Sequence, residues 1–159
     1  MNLDIERTRF NMVEQQVRPW DVVDPRVLDV LGRVRREDFV PEASRALAFA
    51  DVSLPIGHGE CMMKPVVEGR VLQALAVSDS DSVLEIGTGS GFLTACLAAL
   101  ARDVVSVEIH PDLAASAECK LMSAGVANTR VQVCDALKGS APRRSFDAIA
   151  VTAAVYRPP

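Results

Sequence analysis

The stretch from Ser82 to Val151 leaves little choice of fold. Val83-Leu84-Glu85-Ile86, Val104-Val105-Ser106-Val107-Glu108, Val131 to Cys134 and Phe146 to Val151 are short apolar runs of strand character. The segments between them read differently. Gly87-Thr88-Gly89-Ser90-Gly91 turns the first run into an Ala- and Leu-rich helix from Leu93 to Ala101. Pro111 opens a second helix with the stripe Leu113, Ala117, Leu121 and Ala124, and Gly125 closes it. Strands alternating with helices make βαβ units, so the fold class is α/β with a doubly wound, Rossmann-like parallel sheet.

The sequence upstream is less regular. Asp24 followed by Pro25 is a cap and first-turn pair, and Val27, Val30, Leu31 and Val34 recur at helical spacing after it. Val13 to Trp20 reads as helix or as an ordered arm that Trp20 anchors in the core. From Phe39 to Pro65 the breakers Pro41, Pro55, Gly57, Gly59 and Pro65 predict loop with short strands. A further helix is expected from about Val66 to Val77, with Val67, Val71 and Leu75 on one face. The expected organisation is therefore an N-terminal helical and loop region, 1–77, packed on a Rossmann-like half, 78–159.

Composition narrows the function classes. With 159 residues, 49% hydrophobic and 24% charged, the chain can bury a core without metals or disulfides. No apolar run reaches the ~18–20 residues that span a bilayer, and the charged N-terminus is unlike a signal peptide. Cys61, Cys96, Cys119 and Cys134 are scattered, which argues against a zinc site and suits a reducing cytoplasm. The net charge of −4 argues against a nucleic-acid partner. The expectations are a cytoplasmic protein with no membrane span, no metal and no nucleic acid.

Ligands of open parallel sheets sit outside the carboxyl ends of the strands. Glu85 to Gly91 lies at such an end, and glycines there let a ligand approach the backbone. The dinucleotide fingerprint would place glycine at the position of Phe92, so this loop is of another kind. Glu108 ends the second strand about twenty residues on, where a carboxylate can accept ribose hydroxyls. Asp135 ends the third, where it can accept from an exocyclic amine, although capping the next turn is the simpler role. Three such strand ends in a row favour a cofactor that carries a nucleoside.

VLEIGTGSG, VVSVE, VCDA and FDAIAVTAA resemble the S-adenosylmethionine-dependent methyltransferase fold. The upstream pieces VEQQVRPWDVVDPRVLDVL, REDFVP and AFADVSLPIGHGE, in that order, resemble protein-L-isoaspartate O-methyltransferases. This resemblance implies a methyltransferase that esterifies the α-carboxyl of isoaspartyl residues in a protein or peptide substrate. It implies S-adenosylmethionine as cofactor. Glu85, Gly87, Thr88, Gly89, Ser90 and Gly91 would hold the methionine part, Glu108 with Ile109 the ribose, and Asp135 with Ala136 the adenine. Gly59, Glu60, Cys61, Met62, Met63 and Thr152 would line the substrate site.

The chain departs from the family pattern in two places. The family's loop threonine and serine are Cys61 and Met63 here, its glutamine is Glu60, and its histidine is Val66. Met63 cannot donate a hydrogen bond and Glu60 adds negative charge where an anion should dock, so isoaspartyl peptides are expected to be poor acceptors. No catalytic residue is assigned for this reason. The resemblance also stops after the fourth strand, near Val155-Tyr156-Arg157-Pro158-Pro159. In the family's strand order Ala148 to Val151 would then be an exposed edge, with Ile149 facing the core. Such an edge predicts a truncated chain, homodimerisation through the edge, or lower stability.

Rival readings are a non-catalytic cofactor-binding relative, a methyltransferase for another small acid or phenol, and an adenine-N6 enzyme. The last would require an Asn/Asp-Pro-Pro-aromatic run where Thr152-Ala153-Ala154 stands. A packed loop role is favoured for His58 and a helix-entry role for His110. Cys61 lacks the companions of a nucleophile.

Overall fold

The computed structural model describes residues 4–138 and 144–153; the expected chain end at 155–159 lies outside them. The chain divides into two compact units, with the boundary between Ala76 and Val77.

The first unit is helical with one hairpin. Asp4 caps α1 (Ile5–Met12) by accepting from the Arg7 amide, 3.1 Å. The run continues through a π-helical turn, Val13–Val17, into a short 3-10 turn, Arg18–Trp20. Helix α1 carries no apolar stripe, because only Arg9 and Met12 are buried on it. The buried set Met12, Val13 and Val17 includes a five-residue step, the period of the wider π turn. Trp20 does not anchor this arm in the core: it is 61% exposed, and its carbonyl accepts from Arg70.

Helix α2 (Pro25–Arg33) starts where expected, the Asp24 carboxylate accepting from the Arg26 amide. It buries Val27, Leu28, Val30 and Leu31, while Val34 has left the helix as its cap. After 3-10 turns at Arg36–Asp38 and Glu42–Leu47 comes an antiparallel hairpin, β1 (Leu54–Gly57) with β2 (Glu60–Met62).

Helix α3 (Pro65–Leu75) corrects the expected stripe. Its buried positions are Pro65, Val66, Glu68, Gly69 and Leu72, and Val67 is exposed. Gly69 explains the rotation. A Cβ there would lie 2.7 Å from Val17 Cγ1 and 3.3 Å from Leu31 and Val22, so the missing side chain lets α3 pack closely. Gln73 on α3 accepts from the Val23 and Asp24 amides and donates to the Asp21 carbonyl.

The second unit is the expected parallel sheet. It comprises β3 (Ser82–Ile86), α4 (Phe92–Leu100), β4 (Asp103–Glu108), α5 (Pro111–Ser123), β5 (Thr129–Val133) and β6 (Ala148–Val151). The strand order is β5-β4-β3-β6, all pairs parallel. Central β3 is buried at every position. On one face Leu84, Ile86, Val105 and Val107 form a cluster covered in part by Cys134, Ala136 and Phe146. Alternation sends Glu85 and Ser106 to the other face, where α4 packs.

Helix α5 buries Leu113, Ala114, Ala117 and Leu121, but Ala124 is its exposed cap. Strand β6 differs from expectation in orientation: Ala150 faces the core at 3% exposure, whereas Ile149 is 55% exposed. Among the described residues no helix is long and apolar enough to cross a membrane, and no His/Cys/Asp/Glu group could hold a metal.

Candidate functional site

The carboxyl ends of β3, β4 and β6 meet around the glycine loop. Leaving β3, the chain is held by its neighbours on both sides. The Gly87 and Thr88 amides donate to the Val107 carbonyl of β4, at 2.9 and 3.2 Å. From the β6 side, the Thr152 and Ala153 amides donate to the Ile86 carbonyl, and the Thr152 hydroxyl, with one proton to give, lies within hydrogen-bond distance of the carbonyls of both Ile86 and Gly87. Gly87, Gly89 and Gly91 all have positive φ, at 105°, 52° and 86°. At Gly87 a Cβ would meet the Ala153 amide nitrogen at 2.7 Å; at Gly91, the entry to α4, it would press on Ala117 of α5 at 3.1 Å. Two glycines therefore serve close packing as well as the turn.

Glu108 closes the loop from the end of β4. Its Oε2 accepts from the Gly89 amide at 2.8 Å and its Oε1 from the His110 amide at 3.1 Å. A carboxylate offers about four acceptor sites, so each oxygen retains capacity for a further donor. His110 is indeed the entry residue of α5. Ile109, between the two, is exposed.

Glu85 sits beneath the loop rather than on its surface. It is fully buried; its Oε2 accepts from Thr94 Oγ1 at 2.5 Å and Ser106 Oγ at 2.6 Å, while Oε1 is buried without a partner. Burial pushes its pKa up to about 7; the Ser106 and Thr94 hydroxyls pull it down, and nearby Glu108 raises it.

Asp135 takes the simpler role foreseen for it. Its Oδ1 accepts from the Leu137 amide at 3.0 Å, capping the 3-10 turn Ala136–Lys138, and Lys138 pairs with it at 3.2 Å. Ala136 packs on the apolar cluster. Ser90 is buried, its hydroxyl accepting from the Phe92 amide at 3.3 Å. The network linking Thr88, Ser106, Glu85 and Thr94 was not read from sequence; a Ser and a Thr facing one side of a buried acid could have signalled it.

The proposed substrate segment belongs to the first unit. The turn Gly57-His58-Gly59 has positive φ at all three residues, and His58 is exposed at its tip instead of packed. Glu60 and Cys61 are exposed, Met62 at the end of β2 is buried, and Met63 is half-buried with its carbonyl accepting from Arg36 at 2.8 Å.

A parallel sheet with a glycine-rich first turn and an acid ending the next strand defines a Rossmann-like protein of the class I methyltransferase fold. The chain matches the family model for protein-L-isoaspartate(D-aspartate) O-methyltransferase over residues 7–159, and it belongs to that family. It is 43% identical over 148 residues to a protein-L-isoaspartate O-methyltransferase of Methanoculleus marisnigri, the match covering 93% of this chain and 67% of the relative. To one of Magnetococcus marinus it is 44% identical, covering 93% of this chain and 64% of that one. The chain thus spans about two thirds of the length of these relatives.

Two solved structures share the fold with a TM-score of 0.76. One is a protein-L-isoaspartate O-methyltransferase, 20% identical, covering 92% of this chain and 47% of that one. The other is a putative protein-L-isoaspartate O-methyltransferase from Plasmodium falciparum in complex with S-adenosyl-L-homocysteine, 21% identical, covering 95% and 76%.

Proposed function

We propose that the chain binds S-adenosylmethionine at the carboxyl end of its parallel sheet and methylates the α-carboxyl of L-isoaspartyl residues in proteins or peptides. The observation that carries the cofactor assignment is the glycine loop: three positive-φ glycines beside Glu108, above a buried carboxylate oxygen with no partner. Gly87 to Gly91 and Glu85 Oε1 suit the methionine end, with its ammonium group. Glu108 and Ile109 suit the ribose, and Asp135 and Ala136 the adenine. The bound cofactor supplies a methyl group on a cationic sulfur.

The protein's task is then binding and alignment. A substrate carboxylate is ionised at neutral pH and needs no general base. Holding it against the methyl group is the main contribution open to the chain. Gly59 to Met63 and Thr152 are the segments we assign to substrate. Cys61 stands where the family has a hydroxyl and Glu60 brings negative charge, both exposed, so transfer to isoaspartyl peptides is slow. These same two residues favour a second reading, a cofactor-binding relative with a different acceptor or none.

Methyl incorporation from labelled S-adenosylmethionine into paired isoaspartyl and aspartyl peptides tests the assignment. The expected result is slow, base-labile labelling of the isoaspartyl peptide alone, raised about tenfold in Cys61→Thr/Met63→Ser. Absence of labelling in both proteins, with cofactor binding intact, would favour the second reading.

A further inference from the structure

Ser106 has no assigned role, yet it links the two halves of the loop machinery. It lies on β4 in register with Glu85 and is fully buried. Its Oγ is 2.6 Å from Glu85 Oε2 and 2.5 Å from Thr88 Oγ1. A hydroxyl has one proton. If Ser106 gives that proton to the carboxylate, Thr88 must be the donor in the other bond. The result is a directional chain, Thr88 to Ser106 to Glu85, joined by Thr94 from α4. It begins in the glycine loop and ends on a buried acid.

We propose that Ser106 is a positioning residue for the cofactor: it orders the Thr88 turn and keeps Glu85 ionised for the cofactor's cationic methionine end. The proposal rests on the cofactor assignment above. Its chemistry is electrostatic. A buried carboxylate is costly unless donors face it. Two hydroxyls face Oε2, leaving Oε1 as the acceptor for a positively charged group. Among the described residues, the groups that act on Glu85 are two hydroxyls and an acid, with no cation. From β4 the residues involved are Ser106 and the acid Glu108, whose charge opposes that of Glu85. Helix α4 presents Thr94 and, from Phe92 to Leu100, carries no charged residue; β6 places Ala150 opposite Glu85.

A cationic ligand favours ionised Glu85, so its affinity rises as pH rises through the region near 7 where the free carboxyl titrates. Removing a donor hydroxyl raises that pKa and moves the rise in affinity to higher pH.

Titration calorimetry of S-adenosylhomocysteine from pH 6 to 8.5 reads this directly, with thermal melts as a folding control. Ser106→Ala should bind about tenfold more weakly at pH 7, the size expected for a hydrogen bond to a charged group, with its profile displaced to higher pH. Ser106→Thr, which keeps the hydroxyl, should restore the parent profile. Thr94→Ala, which removes the other donor without touching Thr88, should shift the profile in the same direction. Glu85→Gln should flatten the part of the profile near pH 7. If Ser106→Ala and Thr94→Ala both keep the parent's affinity and profile, the positioning role is overturned while the cofactor assignment stands. If the parent chain itself does not bind, the cofactor assignment and this inference fall together.

Discussion

Arg36 donates in three directions from a fully buried position. Its Nε reaches the Ala48 carbonyl at 2.8 Å, its Nη2 the Met63 carbonyl at 2.8 Å, and its Nη1 the Glu68 carboxylate. One side chain thereby ties together the segment before β1, the residue after β2, and α3. Burial pushes the Glu68 pKa up and the Arg36 charge opposes that rise. Removing one partner leaves the other charge buried alone, which typically costs about 3–5 kcal/mol. Arg36→Met should therefore destabilise by roughly that amount in a urea melt. The double variant Arg36→Met/Glu68→Leu should recover much of the loss, because no charge remains to be solvated. Arg36 also bears on the proposed function, since it fixes the backbone of Met63 within the proposed substrate segment.

At the scale of elements, helix α3 shows where periodicity stops being decisive. Val67-Val71-Leu75 and Val66-Gly69-Leu72 are both plausible stripes, and hydrophobicity favours the first. Close approach of a backbone without a side chain decides for the second. Gly69→Val should lower stability by about 2–3 kcal/mol, as overpacked cores do, measured by denaturant melt. A loss below about 0.5 kcal/mol would mean that α3 can slide from Val17 at little cost.

The second unit was more legible. Its strands are short, apolar and separated by glycine or proline signals, so their parallel direction followed, while their order was what the family resemblance implied. The glycine loop and Glu108 could be found because their chemistry is written at strand ends. Three features were not legible for physical reasons. Helix α1 buries one arginine and one methionine and so carries no stripe. Ile149 and Ala150 alternate on a strand that is apolar throughout, and only the register with β3 tells which faces inward. The hydroxyl network around Glu85 depends on residues 94 and 106 meeting across a helix and a strand.

At the scale of the whole molecule, the proposed cofactor site belongs to the second unit and the proposed substrate segment to the first. The family supplies the class of reaction, while the chain's own residues at 60, 61 and 63 set the expectation of slow transfer. The central claim is that the glycine loop is the cofactor site. Gly89 tests it best: its φ of 52° favours glycine, and its amide is the group that Glu108 holds. The deciding measurement is calorimetric titration of S-adenosylhomocysteine into the parent chain and into Gly89→Val, with equal folding verified by circular dichroism. The account predicts one site per chain in the parent and at least a hundredfold loss of affinity in Gly89→Val. Binding of equal strength in the two proteins would place the cofactor elsewhere and contradict it.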